Sequence, residues 1–325
     1  MRLGLYALLL FALTTISAPE AQAAQKVTVG VLKFGTVSWI LDTIQANGLD
    51  TAEGIELDVM PLASTQATTL GLQGGSADVI ATDWLWVSRE RSSGGNFTFS
   101  PFTTALGSIM VPADSPIKTL GDLKGKKLGV AGGPLDKSWL LIVAYALRTA
   151  NIDLRTEARQ EFGAPPLLAE RAKQGALDAV LNFWPYAARL EAVGFTELIG
   201  VEDVVRELGA KGEVAMVGYV FSESWAKQNP KAIAGFLRAA AKADELLATS
   251  NEEWQRLKPM MQVDDDATFE ALRRRYREGI PERSVAQNEA DAKVLYQFLR
   301  EFGGERLVGP GTELAPGTFW NGGGS

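Results

Sequence analysis

Five of the eight tryptophans, Trp39, Trp84, Trp86, Trp139 and Trp184, fall in short segments that also carry hydroxyl, amide, carboxylate or amine side chains. The same segments, with others like them, hold Lys33, Thr36 and Ser38, then Ser64, Thr65 and Gln66, then Asp83, Ser108, Asp136, Asn182, Tyr186 and Tyr219. Aromatic faces beside a few polar groups suit a planar ring or an organic cation, through stacking or cation–π contacts of about 0.5–2 kcal/mol each. A heteroaromatic or amine-bearing solute is therefore the expected ligand. Each residue also has a simpler reading. Trp139 precedes Leu140-Leu141-Ile142-Val143 and reads first as core. Asp83, Asp136 and Asn182 each precede a helical run, where a short polar side chain caps the first turn. Ser64, Thr65 and Gln66 could serve only their own backbone, and Tyr186 and Tyr219 could hydrogen-bond a hinge.

The chain has no histidine and no cysteine. Histidine is the commonest general base near neutral pH and the commonest transition-metal ligand. Cysteine supplies thiolate ligands, thiol nucleophiles, disulfides and lipid attachment. Binding without catalysis is expected, with no cofactor and no metal. No Gly-x-Gly-x-x-Gly or P-loop pattern is present, which leaves phosphate-cradling chemistry without support. Asp264-Asp265-Asp266 lacks the spacing of a calcium loop and reads as a helix cap. The net charge of −7 argues against a nucleic-acid partner.

The elements that must position these residues alternate along the chain. Short β-branched runs are separated by amphipathic ones, the pattern of βαβ units and a largely parallel sheet. Val27–Leu32, Ile55–Met60 and Ala77–Ala81 read as strands, with helices between them. Gly75-Ser76-Ala77-Asp78-Val79-Ile80-Ala81-Thr82-Asp83-Trp84 is echoed by Gly175-Ala176-Leu177-Asp178-Ala179-Val180-Leu181-Asn182-Phe183-Trp184. Two lobes built alike would each turn loops toward a shared cleft, beyond the carboxyl ends of their strands.

Two extended apolar segments, Phe102–Val111 and Val214–Phe221, interrupt the rhythm and read as crossover strands. They divide the chain into lobe 1, residues 25–111 plus 214–325, and lobe 2, residues 112–213, joined by a two-strand hinge with a defined closing direction. Helical runs near 223–248, 265–278 and 285–302 are expected on lobe 1. Residues 1–24 read as a cleavable signal peptide: Arg2, an apolar run from Leu3 to Leu13, and Ala21-Gln22-Ala23-Ala24. The periplasm is the expected location, and a soluble, untethered chain the expected form.

The resemblance to a known family lies in four segments: Val27-Thr28-Val29-Gly30-Val31-Leu32-Lys33, the Gly74-Gly75-Ser76-Ala77-Asp78-Val79 element, Ile117 to Val130, and Gln174 to Ala179. The third, Ile-Lys-Thr-Leu-Gly-Asp-Leu-Lys-Gly-Lys-Lys-Leu-Gly-Val, is the most specific. Together they resemble the substrate-binding proteins of ABC transporters in the nitrate, sulfonate and taurine family, which includes binders of thiamine pyrimidine precursors. The resemblance implies the type II periplasmic binding fold. It also implies a small-molecule ligand, and as partners an ABC permease and its ATPase in the inner membrane, with the binding protein itself a monomer. One segment departs from the family pattern. Where many members carry small hydroxyl residues facing an anion, this chain has Gly132-Gly133-Pro134-Leu135-Asp136-Lys137-Ser138, and the carboxylate of Asp136 argues against a small bare anion. A sulfonate or taurine-type anion stays as the alternative ligand. An accessory or sensor module that holds a partner protein is the alternative role, while the thiamine-pyrimidine chemistry of some relatives depends on histidine and cysteine.

Overall fold

A computed structural model describes residues 24–33 and 35–322, so the signal-peptide reading, apart from Ala24, lies outside the described residues. Two five-stranded sheets organise them. The first contains β1 (Gln25–Leu32), β2 (Ile55–Leu62), β3 (Val79–Asp83), β4 (Phe97–Thr103) and β10 (Val217–Ser222), in the order β2-β1-β3-β10-β4. The second contains β5 (Gly107–Pro112), β6 (Lys127–Ala131), β7 (Arg159–Gly163), β8 (Ala179–Phe183) and β9 (Phe195–Gly200), in the order β7-β6-β8-β5-β9. Each sheet has three parallel strands on one side and antiparallel additions on the other.

Helices connect the strands. In the first half these are α1 (Val37–Ala46), α2 (Leu49–Ala52), α3 (Thr65–Gln73) and α4 (Trp84–Ser92). The second sheet has α5 (Lys137–Ala150), α6 (Leu154–Glu157), α7 (Pro165–Lys173), α8 (Trp184–Ala192) and α9 (Val201–Glu207). After β10 come α10 (Glu223–Gln228), α11 (Pro230–Thr249), α12 (Asn251–Leu257), α13 (Asp266–Glu278), α14 (Val285–Gly303) and α15 (Glu305–Val308).

The echoed decapeptides occupy the same place in the two sheets, and their matched residues have matched work. Gly75 and Gly175 both turn through positive φ, at 73° and 70°, where a Cβ would strain the turn. Asp78 then accepts from the Thr28 amide at 2.8 Å, and Asp178 from the Lys127 amide at 2.7 Å. Each aspartate ties the start of the third strand to the start of the first. β3 and β8 are buried on both faces, as central parallel strands are, and each ends by launching a helix from a tryptophan.

Three expectations are corrected. The segment Phe102–Val111 is not one crossover strand: β4 stays in the first sheet, whereas β5 pairs with β8 and β9 in the second, so the chain changes sheet at residues 104–106. An apolar run satisfies either sheet equally, so its composition could not tell them apart. The C-terminal helices do not serve the first sheet alone: α13 buries Phe269, Leu272 and Tyr276 in its core but also packs on α8, and α14 packs on β4 and on α5. The tail beyond residue 303 is not only loop, since α15 forms there and Phe319 bridges Phe99 beside β4.

Gly107 marks the crossing. Its φ is +146°, and a Cβ there would stand 2.2 Å from the carbonyl oxygen of Asn182. Gly107→Ala is expected to lower stability by about 2–4 kcal/mol, measured by urea denaturation, because neither backbone can yield without breaking the β5–β8 pairing.

Candidate functional site

In sheets of this kind ligands meet the loops beyond the carboxyl ends of the parallel strands. Here those loops start α1, α3 and α4 from the first sheet and α5, α7 and α8 from the second. Three of these six starts are capped by a side chain, as the residue types dictate. Ser64 accepts from the Ala67 amide at 3.2 Å, Asp83 from Trp86 at 2.8 Å and Asp136 from Trp139 at 3.1 Å. Thr65 and Gln66 stand exposed on the first turn of α3. Thr36 is the N-cap of α1 but its side chain makes no cap bond, and it and Ser38 are half-buried, while Lys33 is exposed.

The two sets of loops meet at an ion pair. Lys137, the first residue of α5, places its Nζ 3.0 Å from Oδ2 of Asp83, the N-cap of α4. The bond joins the second sheet's unit to the first and is three-quarters or more buried at both ends. Burial works against the Lys137 charge, but the Asp83 and Asp136 carboxylates outweigh it and hold the ammonium above its usual value. Asp136, enclosed by protein on most sides, is pushed up by burial, and Lys137 only partly offsets that.

An aromatic contact joins the same two units. The rings of Trp39 on α1 and Trp184 on α8 are 6.1 Å apart at 82°, edge to face. Trp254 and Tyr276 complete the cluster, each about 6 Å from Trp39. Trp184 thus leaves its own sheet's core and is buried in that of the first. Arg275 donates to Glu191 and Glu197 at 2.9 and 3.0 Å and to Ser108 Oγ at 3.3 Å, while Ser108 donates to Glu197 at 2.5 Å.

Several expected cleft residues are engaged elsewhere. Trp84 is fully buried against Phe319, and its indole N–H has no hydrogen-bond partner among the described residues. Tyr219 is buried between Phe102 and Phe236, with its hydroxyl likewise unpartnered. Trp139 is core beside Phe162, which is the simpler of its two readings. Asn182 does not cap α8, whose N-cap is Phe183; it is buried and donates to the Pro165 carbonyl at 3.0 Å, fastening β8 to α7. Tyr186 is half-buried against the second sheet's apolar cluster. Of the expected set, Asp83 and Asp136 stand at one contact between the two units, and Trp39 and Trp184 form another. Lys137 completes the first and Trp254 and Tyr276 the second, without having been in the expected set. Adjacency to Asp136 at a helix start is the one signal that could have found Lys137, because nothing local ties α12 or α13 to α1.

A family model described as NMT1/THI5 like matches residues 45–253. No curated protein matches the chain. Among solved structures, the chain is similar to the periplasmic aliphatic sulphonate binding protein SsuA from Escherichia coli, with a TM-score of 0.72 and 21% identity over 91% of this chain and 92% of that one. It is also similar to the alkanesulfonate-binding protein SsuA from Xanthomonas axonopodis pv. citri bound to MOPS, with a TM-score of 0.66 and 18% identity over 91% and 98% of the two chains. A third likeness is to the desulfurization enzyme DSZB, with a TM-score of 0.59 and 17% identity over 86% and 92%. The two-lobed α/β architecture with paired five-stranded sheets is the type II periplasmic binding fold.

Proposed function

We propose, from the premise that the chain belongs to the NMT1/THI5-like family, that it is the solute-binding component of an ABC importer, acting as a monomer in the periplasm. In this reading a small organic molecule bridges the two lobes, and the closed form delivers it to a membrane permease powered by its ATPase. A ligand can drive closure only by binding the closed form better than the open one. The interlobe pair of Lys137 and Asp83 is the observation that carries the reading, because it puts exchangeable charge where the two units meet.

The ligand we assign is a sulfonate-type anion, in place of the heteroaromatic or amine-bearing solute. That earlier expectation needed tryptophan faces turned to the cleft. Trp84 and Trp139 are buried elsewhere, and Trp39 and Trp184 present edges and faces to each other. An anion at the start of the 14-residue helix α5 gains its N-terminal dipole and can take Lys137 from Asp83. Two relatives of this fold are sulfonate-binding proteins. Asp83, once released, can accept an ammonium, which favours an aminosulfonate over a simple alkanesulfonate as a second reading.

Titration calorimetry with an alkanesulfonate, an aminosulfonate and a heteroaromatic amine tests this. Lys137→Gln is expected to weaken sulfonate binding about 10- to 100-fold, since a hydrogen bond to a charged group contributes about 1.5–3 kcal/mol. Asp83→Asn should weaken the aminosulfonate alone. Tight binding of the amine with no sulfonate response would overturn the ligand and keep the carrier role, and silence toward all three would favour a module that holds a partner protein.

The Asp136 carboxyl adds a pH signature. Burial already raises it, and a bound anion raises it further, so binding takes up a proton and affinity falls as pH rises through that titration. In Asp136→Asn the slope of affinity against pH should flatten.

A further inference from the structure

The seam between α8 and α13 holds a groove of about 540 Å³, at the opposite end of α8 from Trp184. Ala192, Ala267 and Ala271 line it, small enough to leave the space open, and Arg273, Arg274 and Arg277 are arrayed beside them together with the carboxylates of Glu191, Glu270 and Glu278. The three arginines differ in what neutralises them. Arg273 pairs with Glu270, and Arg274 pairs with Glu278 and Glu191. Arg277 has no carboxylate partner among the described residues. Its Nε donates to the Leu247 carbonyl at 2.9 Å, and its Nη2 donates to the Ser250 carbonyl and the Asn251 amide oxygen at 3.2 and 3.0 Å. Arg273 donates to that same amide oxygen at 3.1 Å.

Two guanidiniums therefore converge on one neutral oxygen. They sit four residues apart on a helix, where like charges repel. The carbonyls at the end of α11 supply only the partial negative charge of a helix terminus. Burial, followed by the Arg273 charge, holds the Arg277 guanidinium below its usual value, as expected of a cation short of compensation. Planar forks of this kind match the oxygens of phosphate and sulfate groups, with two parallel hydrogen bonds per arginine.

We infer that this groove is a binding site for a small dianion of the phosphate class, held by Arg277 and Arg273 against the alanine-lined wall. It goes beyond the transport reading and does not depend on it. Because one wall is α8 and the other α13, an occupant also ties the second sheet's unit to the C-terminal helices.

The test is titration of the full chain with inorganic phosphate and, separately, with glycerol phosphate, at ionic strength held constant with sodium chloride. The expected result is saturable one-to-one binding with a rise in melting temperature, and the tighter of the two titrants identifies free phosphate or a phosphate ester as the source. Arg277→Gln should weaken binding at least tenfold, whereas Lys137→Gln in the interlobe site should leave it unchanged. Because Arg277 also anchors the end of α11, Arg273→Gln is the second variant, and it too should weaken binding while its far-ultraviolet dichroism stays native. Absence of saturable binding to the wild type would overturn the proposal, as would wild-type affinity in both arginine variants or loss of binding in Lys137→Gln.

Discussion

Trp184→Ala is expected to separate the two lobes and to cost about 3–5 kcal/mol, the range for truncating a buried tryptophan. Trp184 is 6% exposed, and its ring contacts Trp39 and Tyr276 rather than partners from its own sheet. Other contacts cross the same boundary. Arg189 donates to the Met261 and Gln262 carbonyls, Arg274 and Arg275 pair with Glu191, and Lys137 pairs with Asp83. The more exposed of these pairs contribute about 0–1 kcal/mol each, and in the largely buried Lys137–Asp83 pair the cost of desolvating both charges offsets much of the attraction, so the aromatic contact dominates between the two units.

Two measurements separate closure from stability. Small-angle scattering should show a larger radius of gyration for Trp184→Ala, and urea denaturation should give the stability loss. Trp139→Ala provides the contrast. Trp139 is as fully buried, but its ring contact is Phe162 within the second sheet's unit. It should lose comparable stability with no change in radius. A Trp184→Ala protein as compact as the wild type would show that the ion pairs alone hold the lobes.

The contrast between these two tryptophans marks how far sequence alone could reach. Trp139 read first as core and Trp184 as a candidate ligand wall, yet both are buried, and what distinguishes them is whether the ring they touch lies across the lobe boundary. The repeated glycine-to-tryptophan element was legible because its signals are local. A glycine at positive φ and a buried run of five each act within a few residues, while the aspartate that follows the glycine ties this local unit to a strand 50 or 51 positions earlier. The family was legible for the same reason, since segments such as Ile117–Val130 carry their pattern in order.

What could not be read depends on long-range choice. An amphipathic helix declares which face it buries but not against what, so the expectation that α13 and α14 pack on the first unit caught only part of their contacts and missed α8 and α5. The strand β5 has the composition of either sheet, and only its pairing with β8 and β9 places it. The site was half legible on the same principle. Asp83 and Asp136 are cap residues at readable helix starts, whereas Tyr276 and Trp254 reach Trp39 from more than 200 positions away.

Asp244→Asn is expected to stabilise the protein at pH 8 and to have little effect near pH 4. Asp244 lies on α11, with the Tyr276 hydroxyl donating to its Oδ1 over a long 3.4 Å. Burial pushes its carboxyl up to about 7, and that single long hydrogen bond does little to offset the burial. The buried phenols of Tyr276 and Tyr219 are both raised by burial and by the Asp244 charge, so neither supplies a counter-charge.

An acid whose folded value exceeds its unfolded one favours folding while it is neutral. That contribution is fully present below about pH 4 and is lost as pH rises through about 7, at up to about 1.4 kcal/mol per unit. Asp244 keeps some contact with solvent, which reduces the full difference to about 1–3 kcal/mol. Asparagine keeps the shape and cannot ionise, so the wild type should lose stability relative to the variant between about pH 4 and pH 7, as measured by urea denaturation at each pH. Subtracting the two curves cancels every other titrating group. A variant less stable than the wild type at pH 8 would mean that Asp244 is held as a carboxylate in the folded protein, and the buried patch beneath Tyr276 would then be a charge-binding feature in place of a neutral one.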